Sequence, residues 1–336
     1  MFFLFFFLIF LIFISKNVHA KWFKGQLHIH TNKSDGNETP QRVAEIYKEL
    51  GFDFIVLTDH NISYDPRNEI DSIPDDLLII QGEEFTYGIP NQFRDIVHVH
   101  GNGIGIKETL LFEPKPTVAE TFYEIIETTY MKNAIPMINH PNFESAFTDK
   151  EILPINLPYL LEIANMHPFS FSEGTMSLPS CELMWDRLLS ESRNIFATAT
   201  DDTHNYKPDE IGKKGFAYPG IGWVVCKADN LDETSILNTF RKGDFYASTG
   251  VNIKEYEVSK ENIFVSVNSE PDRKYKIIFI GKNGKILEDI IGESGSYIFK
   301  NVADEEYVRV KIIDNKGFCA WCQPVFQNGK EIYLSL

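Results

Sequence analysis

Eight of the nine histidines fall at or just beyond the C-terminal end of a short apolar run that reads as a β-strand. Random placement would scatter some of them onto helices and tails. The runs are residues 26–30, 54–58, 77–81, 96–100, 135–139, 160–164, 195–200 and 223–227. Helical patterns lie between them. Thr39-Pro40 supplies a cap and a first-turn proline, Val43, Ile46, Tyr47 and Leu50 make an apolar stripe, and Gly51 ends it. Thr117 and Glu120 read as a capping box before a second stripe. Alternating β and α units predict a mostly parallel sheet with right-handed crossovers, and seven or eight units fit a closed or distorted barrel. In a barrel those strand ends share one face, where active sites are built. The histidines therefore predict a single polar mouth.

The motifs themselves carry metal-ligand chemistry. His28-Ile-His30 puts two imidazoles on one side of an extended segment, since alternate strand residues point the same way. Asp35, in the turn Thr31-Asn-Lys-Ser-Asp-Gly36, is placed to fold a carboxylate over that pair. Val56-Leu-Thr-Asp-His60 ends an apolar run in two ionisable groups, and Gly82-Glu-Glu-Phe-Thr86 supplies two carboxylates. Ile96-Val-His-Val-His100 offers two more imidazoles, Ile138-Asn-His-Pro141 another, and Ala199-Thr-Asp-Asp-Thr-His204 pairs Asp202 with His204. Each alone is explained by turn chemistry or a solvated strand end. Six on successive strand ends are not.

Imidazole and carboxylate donors without thiolate suit Zn²⁺, Mn²⁺ or Fe²⁺. Nine candidate ligands exceed the needs of one ion, so the expectation is two or three adjacent divalent ions. Hydroxide on such a centre, with ions stabilising both attacking and leaving oxygens, is best used in hydrolysis of a phosphate ester. A carboxylic or carbamate ester hydrolase on the same site is the alternative chemistry. A non-catalytic protein with structural metals is a third reading, but such sites are usually closed by four ligands. No Ser or Cys sits with a base in a pattern that suggests a covalent nucleophile.

The ordered set H-x-H…S-D-G, T-D-H, G-E-E, H-V-H, N-H-P and D-x-H resembles the PHP (polymerase and histidinol phosphatase) family of metal-dependent phosphoesterases. The resemblance runs from about Lys24 to Gly250, and the closing stretch Gly243-Asp-Phe-Tyr-Ala-Ser-Thr-Gly250 looks like an exported branch of that family. It implies a distorted seven-stranded (β/α)7 barrel over residues 21–250, in an α/β chain that ends in a small all-β, sandwich-like domain at 251–336. Carried over by position, it implies metal ligands at His28, His30, Asp35, His60, Glu84, His98, His140, Asp202 and His204. The family pattern selects Glu84 over Glu83 and His98 over His100, with His100 on the same strand face as its alternative. His28, His30, Glu84 and Asp202 are assigned to the first ion, and His60, His98, His140, His204 and Asp35 to the others. Asp35 stands where some members have His, so the count is two or three. Asp59 and Asn139 flank ligands and are expected to orient imidazoles, and His167 to touch substrate. Arg94, Arg193 and Lys207 are candidates for a phosphate oxygen.

Residues 1–14 are all apolar, seven of them Phe. As a helix they rise about 21 Å, short of the roughly 30 Å hydrocarbon core, so the run reads as a signal-peptide core before Val18-His19-Ala20. Export to a periplasmic or extracellular space is expected, with an uncleaved N-terminal anchor as the alternative. Removing the segment takes Lys16 with it and moves the net charge from −16 to −17. So acidic a chain does not hold a nucleic-acid polymer by bulk electrostatics, which leaves a small anionic phosphoester as the expected partner. The chain's protein partners are left open by the sequence. In an oxidising compartment, Cys319-Ala-Trp-Cys322 within a β-rich tail reads as a structural disulfide or two buried thiols rather than a redox site. N-terminal sequencing of exported protein is expected to begin at Lys21; recovery of residues 1–20 on a membrane-bound product would overturn cleavage.

Overall fold

The computed structural model describes residues 20–336 apart from 92–93, 208, 210–214, 301, 327–333 and 335–336. The apolar run 1–14 and Val18-His19 lie outside the described residues, as does the side chain of Arg94. The first part of the chain runs β1 Lys21–Gln26, α1 Pro40–Glu49, β2 Phe54–Leu57, β3 Leu78–Asn91, β4 Arg94–Ile104, α2 Val118–Met131, β5 Ile135–Ile138, α3 Asp149–Ile152, β6 Tyr159–Asn165, α4 Cys181–Ser190, β7 Ile195–Thr200, β8 Trp223–Ala228, α5 Glu233–Lys242 and β9 Phe245–Ser248. The remainder is β: β10 Ile253–Val258, β11 Asn262–Val267, β12 Tyr275–Gly281, β13 Lys285–Ile291, β14 Ser294–Ile298, β15 Tyr307–Asp314, β16 Cys319–Cys322 and β17 Val325–Phe326.

Helix ends follow their caps. The Thr39 hydroxyl accepts from the Arg42 amide, Pro40 fills the first turn, and Gly51 takes φ 74 just past the helix. Val43, Ala44 and Tyr47 are buried, while Leu50 is exposed. Tyr47 does more than pack: its hydroxyl donates to Asp201 and Thr203, fixing the segment beyond β7 that carries Asp202.

β9, β8, β1, β2, β3, β4, β5, β6 and β7 are neighbours in that order, and β7 comes round to lie against β8 and β9. Pairing is parallel in β1–β2–β3 and β5–β6–β7, but antiparallel in β3–β4, β4–β5, β1–β8 and β8–β9. The predicted parallel alternation therefore fails at β4. Asn91 and Arg94 are too close in sequence for a crossover helix, so β3 and β4 form a long hairpin with Thr86 opposite His100. His98 and His100 thus lie near the middle of a strand that runs back down from the mouth, not at the end of one that runs up to it.

The predicted strand at 26–30 is corrected as well. β1 ends at Gln26, whose side-chain oxygen accepts from the amides of Leu27 and His28 while its nitrogen donates to Gly222. The backbone then leaves the ladder, with an isolated bridge between Ile29 and Thr203 and the Thr58 amide donating to the Ile29 carbonyl.

The C-terminal strands divide between two sheets. β16 pairs with β9, so β13, β12, β15 and β16 extend the main sheet, and β10, β11 and β14 form a separate three-stranded sheet. Ile253, Val265, Ile277, Phe279 and Val310 share one apolar core with Val43, Phe52 and Ile55 around α1 and β2. The four cysteines are buried and free. Cys319 and Cys322 are three positions apart on β16, and the two-residue strand period aims them to opposite faces, which excludes the disulfide. Among the described residues no helix is long and apolar enough to cross a membrane.

A buried ion pair ties β15 to α4. Arg309, 1% exposed, donates from Nε to Asp186 Oδ1 at 2.7 Å and from Nη2 to Asp186 Oδ2 at 2.6 Å and Glu182 at 2.9 Å. Removing one partner strands the other charge in the interior. Asp186→Ala is expected to lower unfolding stability by about 3–5 kcal/mol in urea titration, and replacing both residues with apolar ones of similar volume to cost far less. Equal losses in the single and double variants would refute the coupling.

Candidate metal centre

Each polar side chain at the mouth arrives by a local feature of the chain. The His28 and His30 rings lie 5.1 Å apart on the segment that has left β1. Beyond β2, an isolated bridge pairs His60 with Glu84, and the Glu84 amide donates to the Asp59 carbonyl. His140 follows β5 with φ 22, and its amide donates to Glu162. Asp202 follows β7 with φ 53, and the adjacent Asp201 carboxylate is gripped by the amides of Gly220, Ile221 and Gly222.

Glu84 lies at the centre. One carboxylate oxygen is 3.3 Å from His28 Nε2, 3.3 Å from His100 Nδ1 and 3.5 Å from His140 Nε2. The other is 3.3 Å from His30 Nε2 and 2.8 Å from His60 Nδ1. Asp202 Oδ1 approaches His28 Nε2 at 3.3 Å and His30 Nε2 at 3.2 Å. Asp35 closes the outer side, with one oxygen 3.4 Å from His204 Nε2 and the other 3.5 Å from His60 Nε2. A cavity of about 300 Å³ opens over this cluster, and Phe143 and His167 also line it.

A layer of polar partners behind the cluster holds it in place. His28 Nδ1 lies 2.8 Å from Glu162 Oε1, which leaves Nε2 facing Glu84 and Asp202. Glu162 also accepts from Thr200, from Asn165 and from the His140 amide, so one buried carboxylate positions two imidazoles. Asn139 donates to Glu84 at 2.9 Å, and Asn165 donates to Asp202 at 3.1 Å. His204 Nδ1 lies 3.0 Å from the Asp202 carbonyl, which turns Nε2 toward Asp35.

Burial and mutual charge set the protonation pattern. Burial, helped by the neighbouring His204 and His60, pushes His30 down to about 4. Burial also works to lower His60, but Glu84 and Asp35 outweigh it and raise the imidazole to about 10. His204 moves up as well, because Asp35 and Asp202 overcome its desolvation. For Glu84, burial favours the neutral acid, yet His28, His60 and His100 hold it well below the usual carboxylate range. A cation held by these imidazoles would compete with protons for them, so its uptake would weaken as pH falls.

The donors fit divalent ions. His28 Nε2, His30 Nε2 and Glu84 Oε2 are buried without a hydrogen-bond partner among the described residues, an arrangement that is costly unless something else binds them. Three groups have ligand atoms within 4.8 Å of one another: His30, Asp35, His60 and His204; His28, His30 and Asp202; and His28, Glu84 and His140.

The structure therefore gathers His28, His30, Asp35, His60, Glu84, His140, Asp202 and His204, but it brings in His100 where His98 was expected. Both lie on one strand face, yet two residues of β4 carry His98 about 6.6 Å farther out, where it meets Glu144 at 3.2 Å. Glu83 points to the other face of β3, accepts from the Leu110 amide, and is pushed up to about 7 by burial. Asp59 is corrected too. Its buried carboxylate accepts from the amides of Thr31 and Ser34 and the hydroxyls of Thr31, Ser34 and Tyr64, so it fixes the loop bearing Asp35 rather than an imidazole. Asn139 likewise orients Glu84 instead of a histidine. Arg193 precedes β7 and so lies at the end of the sheet away from the mouth, while Lys207 is exposed. His167 does reach the cavity, its ring centroid 5.6 Å from that of His204. Sequence reasoning missed Glu162 and Asn165. The signal was present: an ionisable residue in the middle of the apolar run Tyr159-Leu-Leu-Glu-Ile-Ala-Asn165 has no place in a buried strand without a partner.

No family model and no curated protein matches the chain. Among solved structures it is similar to a two-domain protein containing a predicted PHP-like metal-dependent phosphoesterase from Bacteroides vulgatus ATCC 8482, at 17% identity and a TM-score of 0.46, covering 91% of this chain and 96% of that one. It is also similar to a putative metal-dependent phosphoesterase from Bifidobacterium adolescentis ATCC 15703, at 14% identity and a TM-score of 0.39, over 57% of this chain and 92% of that one. An amidohydrolase from Chromobacterium violaceum, solved with sulfate and no metal, matches at 11% identity and a TM-score of 0.37, over 56% and 90%.

Because Glu162 touches the ligands and not the cavity, its role is separable from theirs. Glu162→Gln is expected to weaken divalent-ion affinity about 10- to 100-fold in calorimetric titration while the chain still folds. Unchanged affinity would remove Glu162 from the site.

Proposed function

We propose that this chain is a metal-dependent phosphoesterase that holds two divalent ions. The observation that carries the reading is the buried Glu84 carboxylate between five imidazoles, with His28 Nε2 and His30 Nε2 left unpartnered beside it. A neutral imidazole has one nitrogen lone pair to give, so groups that share a histidine do not fill together. The group of His30, Asp35, His60 and His204 shares no residue with that of His28, Glu84 and His140, so two ions would fill these two groups side by side. Asp202 lies between them. Ions bound there would supply an activated water and neutralise charge on a phosphoryl group.

The chain's own residues do the rest. Glu162, Asn139 and Asn165 fix the ligands by hydrogen bonds at 2.8–3.1 Å. His167 Nδ1 lies 3.4 Å from the Phe169 amide, so this nitrogen accepts and Nε2–H is left to donate to a substrate oxygen. No Lys or Arg is among the described residues lining the cavity, so a phosphoester would be held by the ions and by His167. A small monoester suits a chain of net charge −16 better than a polyanion does. The apolar N-terminal run supports action after export.

Metal content per chain, measured together with turnover of phosphoester and carboxylester panels, tests the reading. About two equivalents of metal are expected, and Asp202→Asn and His60→Ala should each lower phosphoester kcat/KM about 100-fold or more. Less than one equivalent, with no activity sensitive to these variants, would overturn it. Preference for carboxylesters would transfer the same centre to carbonyl chemistry.

A further inference from the structure

The cavity lining has two unlike parts. One is the charged cluster. The other is Phe143, packed on the edge of that cluster with its ring centroid 4.9 Å from His140, 5.9 Å from His100 and 5.5 Å from His167. Behind His167, a lining residue, comes Phe169, its ring centroid 5.7 Å away and the residue 51% exposed, and Phe171 is 41% exposed.

Phe143 is held there by backbone that L-residues seldom adopt. Glu144 has φ 47 and Ser145 φ 62, four and five residues after His140 at φ 22. Such strain persists only where surrounding contacts impose it, and it concentrates at functional sites. Core packing is not the reason here, because the short turn Phe143–Ser145 buries none of its three side chains. The turn is instead stitched to the loop that carries Phe169. Asn142 donates to the carbonyls of Phe171 at 3.0 Å and Pro179 at 2.8 Å, and the Glu144 amide donates to the Phe169 carbonyl at 3.2 Å. The two loops are thereby locked together, which sets Phe143 in the cavity lining beside the His100 and His140 rings.

Resting on the phosphoesterase reading, we propose that Phe143 and Phe169 select esters whose leaving group is a flat aromatic ring, stacked on this aromatic surface while the phosphoryl group meets the charged cluster. Polar leaving groups gain little there, since the described lining offers no Lys or Arg. An aromatic ring gains apolar burial and offset stacking, and linear alkyl groups only part of the burial.

The test is binding of naphthylmethylphosphonate and methylphosphonate to the metal-loaded protein, with naphthylacetate as a phosphate-free aromatic probe. The naphthyl phosphonate is expected to bind about tenfold more tightly than the methyl one, and the ratio to fall toward one in Phe143→Leu and, less steeply, in Phe169→Leu. Equal affinities in the wild type, or a parallel loss of both phosphonates in Phe143→Leu, would overturn the aromatic surface and leave Phe143 as packing for the imidazoles. Naphthylacetate bound in a Phe143-dependent way, with neither phosphonate bound, would retain the surface and remove the phosphoesterase reading.

Discussion

A carboxylate as deeply buried as that of Glu84 is stable only among positive charge or hydrogen-bond donors, and here the demand is sharp: Asn139 donates to Oε1, while Oε2 has no hydrogen-bond partner among the described residues. Five imidazole nitrogens within 3.5 Å and the Asn139 amide surround it. Those donors come from four separate segments: the chain leaving β1, the exit of β2, the middle of β4 and the exit of β5. Satisfying one acid thus requires four parts of the sheet to be in register. The outer layer repeats the logic, with Glu162 anchoring His28 and the His140 backbone, and Asp59 pinning the loop that carries Asp35.

Much of this was legible because strand chemistry is periodic. Short apolar runs ending in His, Asp or Glu announce a polar mouth, and eight of the nine expected ligands meet there. What failed has a common cause. The sequence marks which residues share a strand face, but not how far along the sheet each one sits or which way the strand runs. His98 and His100 have the same parity, and only the reversed direction of β4 decides between them. Asp59 was misjudged because proximity in sequence to His60 says nothing of where its oxygens point. Glu162 was overlooked because its partner His28 lies 134 residues away. The continuity of β16 with β9 was equally hidden, since strand pairing across a linker leaves no local pattern.

The overall acidity reads differently once the cluster is in view. Glu84, Glu162, Asp35 and Asp202 gather at one mouth together with seven imidazoles, so part of the net charge of −16 is concentrated where cations would bind. The described lining of the cavity offers no Lys or Arg. Attraction for an anion would thus be conditional on bound cations, and a chain emptied of them would repel the ligand it otherwise attracts.

The scatter of the ligands along the chain has a further effect. His28 and His204 stand at opposite ends of a 177-residue stretch, and nothing shorter assembles the cluster. An unfolded chain offers only isolated pairs such as His28 and His30. Ions would therefore bind the folded form almost exclusively and add to its stability by mass action. If the chain is exported before it folds, as proposed above, the compartment in which folding finishes, and not the one in which synthesis occurs, would choose the metal.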